Sequence, residues 1–330
     1  LDYGPPAGLP ALREAIAAYL RRARAVSATP EQVIIVSGSQ QGLDLCVRVL
    51  LDPGDRALLE EPHYPGARAV LLAGGAQVVP APVGPEGIDT STLGAALRGV
   101  RLAYVTPSHQ FPSGALMSLA RRLALLRWAA RNDVYVVEDD YDSEYRYVGR
   151  PVEALQGLDQ DDRVIYLGTF SKLLFPALRL GYLVAPPPLV KAFVNAKALA
   201  DTGSASLEQG ALADFIREGH FERHVRRSRA RNAARRATLL EAIATHFGRR
   251  AEVQAADAGI HILLRLRDMP ARRLRAGVAR AEQLGVRVYR AATCYLDPPA
   301  DAGLLLGYAG LAEPQIRAGI RQLAQAFAEV

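Results

Sequence analysis

Sulfur is scarce in this chain, with two cysteines and two methionines among 330 residues. Cys46 and Cys294 are too few for a disulfide framework, and they form no metal-ligand pattern. Long apolar runs are missing too. No stretch of about 18 apolar residues is present to span a bilayer, and the opening LDYGPPAG has neither the basic nor the apolar region of a secretory leader. The expectation is a soluble cytoplasmic protein. Charged residues make up only 22% against 50% hydrophobic ones, which excludes a disordered chain and leaves enough apolar material for two domains. A start at Leu1, directly in a motif-like segment, suggests the core of a larger protein.

A formal charge of +6 would suit a polyanionic partner, but its distribution argues otherwise. Basic residues concentrate in FERHVRRSRARNAARRATLLEAIATHF, where Arg223, Arg226, Arg227, Arg229, Arg231, Arg235 and Arg236 lie on a helical pattern with few aromatics. A solvated or interdomain helix face is expected there, in preference to a nucleic-acid contact.

In the first half, short β-rich runs such as QVIIVSG, RALLEEP, RLAYVTP, VYVVEDD and RVIYLGTF alternate with helical patterns. Strands that are apolar throughout indicate a mostly parallel sheet covered on both faces, hence α/β architecture. Pro186, Pro187 and Pro188 end this series, and a helical stretch runs to about Phe247. Strand-like GIHILLRL, VRVYR and GLLLGYA with two further helices then form a smaller α+β unit, with the boundary between 225 and 250.

Ligands of open parallel sheets collect at the carboxyl ends of strands. After VIIVS, Gly38, Ser39 and Gln40 open a helix whose free N–H groups suit an anion, although such a start is also an ordinary cap. After VYVV come Glu138, Asp139, Asp140, Tyr141 and Asp142. Carboxylates this close repel, so at least one needs a cationic partner or water. No histidine or cysteine stands at ligand spacing beside them, which disfavours a transition metal and leaves Mg²⁺ as the alternative. After VIYLG come Thr169, Ser171 and Lys172, with Arg179 seven residues on, a set of donors for an anion beside an amine able to form a Schiff base. His109 and the Ser113-Gly114 turn follow LAYVT and read as structural. One ligand accounts for an anion cradle, a reactive lysine and a carboxylate for a protonated ring nitrogen together: pyridoxal 5'-phosphate.

The segments YVTPSHQFPSG, VEDDYDSEYRY and YLGTFSKLLFPALRLGY resemble the aminotransferase-like domain of MocR-type regulators of the GntR superfamily, and more broadly class I/II aminotransferases. The resemblance covers essentially the whole chain. It implies the fold-type I PLP-dependent transferase fold, in which a large domain with a mostly parallel, seven-stranded-type sheet is joined to a smaller C-terminal α+β domain. An N-terminal arm is then placed at 1–26, the large PLP-binding domain at 27–225, and the long helix with the small domain at 226–330. It further implies an internal aldimine at Lys172, the catalytic residue if there is catalysis. Asp139 would pair with the ring nitrogen, with Asp140 as the alternative. Tyr141 would meet the phenolic oxygen and Tyr64 would stack on the ring. Ser39, Gln40, Thr169, Ser171 and Arg179 would hold the phosphate, and Tyr3 would reach the partner's phosphate across a homodimer.

Two departures from working aminotransferases stand out. Phe111 occupies the place of an Asn before Pro112-Ser113-Gly114. Leu305 occupies the place of the arginine that grips a substrate carboxylate, with Arg68, Arg287 and Arg290 as candidate replacements. The reading expected is an effector-sensing and dimerisation domain. Its effector would be a small amine, an amino acid or PLP itself, and DNA would be read only by a domain absent from this chain. The alternative is an active aminotransferase.

Overall fold

A computed structural model describes residues 4–94, 97–149, 152–254, 257–267, 269–299 and 303–330. Tyr3 lies outside them. Helix α1 (Pro10–Arg24) starts on a proline and ends at Ala25 in the left-handed region, and its buried residues Leu12, Ile16 and Leu20 recur every fourth position. That face packs against α6 (Ser206–Arg217) in one core cluster.

Strands β1 (Val33–Val36), β2 (Arg56–Glu61), β3 (Gln77–Gly84), β4 (Gly87–Ile88), β5 (Val100–Val105), β6 (Tyr135–Asp140), β7 (Val164–Thr169) and β8 (Gly181–Val184) form an eight-stranded sheet in the order β1-β8-β7-β6-β5-β2-β3-β4. The two-residue β4 is an antiparallel hairpin extension of β3, so the body of the sheet has the expected seven strands. Strands β3, β2, β5, β6 and β7 run parallel. Both β1 and β7 are antiparallel to β8, so β1 points the same way as the parallel set. The carboxyl ends of β1, β2, β5, β6 and β7 therefore share one edge of the sheet, and Arg179, just before β8, enters at that edge. Helices α2 (Ser39–Leu50), α3 (Pro65–Ala73), α4 (Leu119–Asn132) and α5 (Val190–Asp201) cover the faces, as buried strands require.

The carboxyl-terminal part has a four-stranded antiparallel sheet, β11-β12-β10-β9, made of β9 (Ala251–Gln254), β10 (His261–Leu266), β11 (Tyr289–Arg290) and β12 (Leu304–Gly307). Helices α8 (Ala271–Gln283) and α9 (Glu313–Ala328) pack on it. Helix α7 (His220–Phe247) joins the two parts: Phe221 and Val225 sit in the core of α1 and α6, while Leu239, Ala242, Ile243 and Phe247 sit in the core of the small sheet. Three of its arginines reach neighbouring elements, while Arg226 and Arg227 are exposed. Arg229 donates to the Glu144 carbonyl at 2.6 Å, Arg235 to the Ala309 carbonyl, and Arg236 lies over the Tyr147 ring. Among the described residues no helix is long and apolar enough to cross a membrane.

Arg24 ties α1 to the sheet. Its Nε donates to Asp140 Oδ2 at 2.8 Å and its Nη2 to Ser108 Oγ at 2.8 Å, with both members of the ion pair buried. Removing one partner leaves a buried charge uncompensated. Arg24→Met is expected to lower the urea-denaturation free energy by about 3–5 kcal/mol, and adding Asp140→Asn to restore a large part of it. An unchanged stability in the single variant would show the pair to be dispensable.

Candidate active site

The strand ends converge on a cavity of about 560 Å³. Of the site residues expected from sequence, Ser39, Gln40, Tyr64, Asp139, Tyr141, Thr169, Ser171, Lys172 and Arg179 all line it. Gly38 caps α2 at φ +93°, and a Cβ there would stand 3.0 Å from the Arg179 guanidinium, whose Nη2 donates to the Ser37 carbonyl at 2.7 Å. The close approach needs glycine. It sets a guanidinium beside the N–H groups of the first turn of α2, an arrangement suited to a phosphate. Ser171 N donates to Thr169 Oγ1 at 3.1 Å, which fixes the turn carrying Lys172. The chain has three lysines; Lys197 is buried against Asp201 and Ser204, and Lys191 is exposed, so Lys172 is the one that lines the cavity.

The two adjacent aspartates are distinguished by geometry. Asp140 accepts from Arg24 and from the Tyr166 hydroxyl at 2.6 Å, and it does not line the cavity. Asp139 does. Its Oδ2 accepts from Tyr104 at 2.6 Å, while its Oδ1 is buried without a partner. Burial pushes its pKa up from 3.8 to about 6, against the pull of the Tyr104 hydrogen bond. A carboxylate so placed favours a cationic donor opposite its open oxygen.

Tyr141 donates to the His109 carbonyl at 2.9 Å, and His109 Nδ1 lies 3.1 Å from Asp142. Phe111, in the place of a polar residue, forms a ring cluster with Tyr64 at 5.6 Å and His261 at 5.2 Å. His261 comes from the small sheet, and its ring lies parallel to within 19° of Tyr141. Burial, then His109, lowers its pKa to about 3, so it is neutral. His109, Asp142 and His261, which are scattered in sequence, come within 4.8 Å of one another. Ligand spacing in the sequence could not show this grouping.

The sequence reading also missed Glu60, Tyr104, Tyr289, Thr293 and Cys294. Glu60 is fully buried under the 106–115 loop, where Oε2 accepts from Thr106 N at 3.1 Å, Thr106 Oγ1 at 2.7 Å and Gln110 at 3.2 Å. Its place at the end of β2 was the available signal. Tyr104 stands on β5 in a run read only as a strand. Of the three arginines proposed to replace the clamp, none lines the cavity, whereas Leu305 does.

Comparison with known proteins agrees with this arrangement. The Aminotransferase class I and II family matches residues 1–317. The chain is 43% identical over 326 residues to the probable rhizopine catabolism regulatory protein MocR of Rhizobium meliloti, covering 97% of this chain and 64% of the relative. It is 40% identical to the HTH-type transcriptional regulator YhdI of Bacillus subtilis, covering 98% of this chain and 68% of the relative. It thus spans about two thirds of the length of these regulators. Among solved structures, the kynurenine aminotransferase of Pyrococcus horikoshii superposes with a TM-score of 0.91 at 31% identity, over 100% of this chain and 82% of that one.

Burial raises the pKa of Glu60 from 4.5 to about 7, partly offset by its bonds from Thr106 and Gln110. The folded state then holds this proton more tightly than the unfolded chain does, so stability falls as pH rises from about 4.5 through about 7 and levels off above. Glu60→Gln is expected to make that fall shallower by up to about one proton, measured by urea denaturation across pH. An unchanged slope would assign it to other groups.

Proposed function

The chain belongs to the aminotransferase class I and II family and stands with its MocR-type regulators, and on that footing we propose that it is the effector-sensing, dimerising domain of a transcriptional regulator, holding pyridoxal 5'-phosphate. The observation that carries the reading is the open Oδ1 of Asp139, set in one cavity with Lys172 and the Gly38–Arg179 cradle. These residues fit the cofactor: a carboxylate for a pyridinium, an amine for an aldehyde, and an N-terminal helix turn with Arg179, Ser39, Gln40, Thr169 and Ser171 for the phosphate. When bound, the cofactor supplies a carbonyl that captures amines and a ring that withdraws electrons.

In this proposal Asp139 holds the ring-nitrogen proton, kept in place by the Tyr104 hydroxyl. Tyr141, fixed by the His109 carbonyl, presents its hydroxyl to the cofactor's phenolic oxygen. Tyr64 covers one ring face and is itself steadied by Phe111 at 5.6 Å and by Gln40. Sensing follows from the origin of the walls. The large sheet supplies the cofactor groups, while β10, β11, β12 and the 291–294 turn supply the opposite side. An amine that contacts both sides binds the closed arrangement better and so shifts its population.

Leu305 favours a sensor over an enzyme, because an aliphatic side chain offers a substrate carboxylate no bidentate partner. Leu199 is 91% exposed and Leu207 is 83% exposed, and a Cβ on Gly4, near the amino terminus, would stand 3.8 Å from Ser206. That apolar margin suits a second copy, whose Tyr3 would complete the phosphate site. DNA reading is assigned to the portion of such regulators that this chain does not span, and a cytoplasmic location goes with it.

The chain incubated with pyridoxal phosphate is expected to show a visible absorbance band that borohydride bleaches, fixing the cofactor to Lys172 by mass spectrometry; Lys172→Ala should lose both. Labelling at Lys191 or Lys197, or a band that persists in the variant, would sink the assignment. With an amino acid and a keto acid together, no sustained turnover is expected. Many turnovers per chain would establish the aminotransferase reading, which the intact cofactor constellation and the structural likeness otherwise support.

A further inference from the structure

Resting on the pyridoxal phosphate reading, we infer that the effector is a primary amine whose other polar groups are uncharged hydroxyls, an amino alcohol in class, and not an α-amino acid. Charge in the cavity is divided by end. Among the described residues that line it, the cations are Lys172 and Arg179. Arg179 is held at the start of α2 by the Ser37 carbonyl, at the phosphate end, and Lys172 stands at the cofactor's carbonyl.

The wall left for the effector comes from the small sheet and presents the neutral His261, Tyr289, Thr293, Cys294 and Leu305. Burial pushes the Cys294 thiol up to about 11, so this wall carries no charge near neutral pH. Arg68 and Arg290 stand outside the lining, and Arg287 is largely exposed with Glu282 at 3.9 Å. A carboxylate placed against Leu305 would lose water without gaining a cation to balance its charge. A hydroxyl in the same place needs no counter-charge, and it meets the Tyr289 O–H and the oxygen of Thr293, whose own proton goes to the Arg290 carbonyl at 3.2 Å.

The test is calorimetric titration of the full chain, loaded with pyridoxal phosphate, with L-alaninol, 2-amino-1,3-propanediol and L-alanine, which share a primary amine on three carbons. Both hydroxylated amines are expected to bind roughly tenfold or more tightly than L-alanine, about 1.4 kcal/mol. Leu305→Arg is expected to reverse the order. If that variant does not fold, the order in the unaltered chain decides. L-alanine binding equally or more tightly, or no heat from either hydroxylated amine, overturns the inference. A chain that never acquires the Lys172-dependent band fails the preceding reading instead, so the two failures are distinguishable.

Discussion

The site depends on how the end of β6 disposes of crowded negative charge. Glu138, Asp139, Asp140 and Asp142 lie within five residues and are all buried. Each is sent to a different place. Glu138 accepts from the backbone of Leu155 and Gln156 at 2.8 Å each. Asp140 takes Arg24, and Asp142 takes His109 and the Ile260 N–H at 3.2 Å. Of these four, Asp139 is the one with a buried oxygen that lacks a partner, and it lines the cavity. The alternation of a strand produces this division, because Glu138 and Asp140 point away from the face that Asp139 presents.

Much of this was legible. Apolar strands between helical patterns pointed to the parallel sheet, and position after a strand end picked out Gly38, the cluster from Glu138 to Asp142 and Lys172, because the edge of such a sheet is where ligands collect, while the resemblance singled out Asp139 and Tyr141. Crowding of the carboxylates implied a cation, yet nothing local could name Arg24, which lies 116 residues away. Asp139 and Asp140 could not be told apart, since the choice turns on which face of β6 meets Arg24 and Tyr166. Glu60 and His261 escaped for a similar reason. Each is one polar residue at the end of a short strand, beside Glu61 in β2 or opening β10, and its meaning comes from a loop or a sheet that arrives from elsewhere in the chain.

The small unit is fastened to the large one close to the cavity. Asp142 holds the Ile260 N–H, Tyr147 and Tyr308 both donate to the Gly259 carbonyl, and Gly259 N donates to the Tyr145 carbonyl at 2.8 Å. Gly259 has φ +81°, and a Cβ there would lie 2.0 Å from the His109 ring, so no other residue fits between His109 and the small sheet. Tyr141 and the segment that leads into β10 are thus both in contact with one imidazole. A shift of Tyr141 has a direct packing route to the small unit, over the distance of two side chains.

Helix α7 has a consequence of a different kind. Its first turns are rooted in one hydrophobic cluster and its last turns in another, so neither cluster can melt without fraying the same rod of 28 residues, about 42 Å long. The stabilities of the two units are therefore coupled through this helix. A ligand that clamps the small sheet onto the cavity protects the amino-terminal core as well, and its presence is felt as heat resistance of the entire chain.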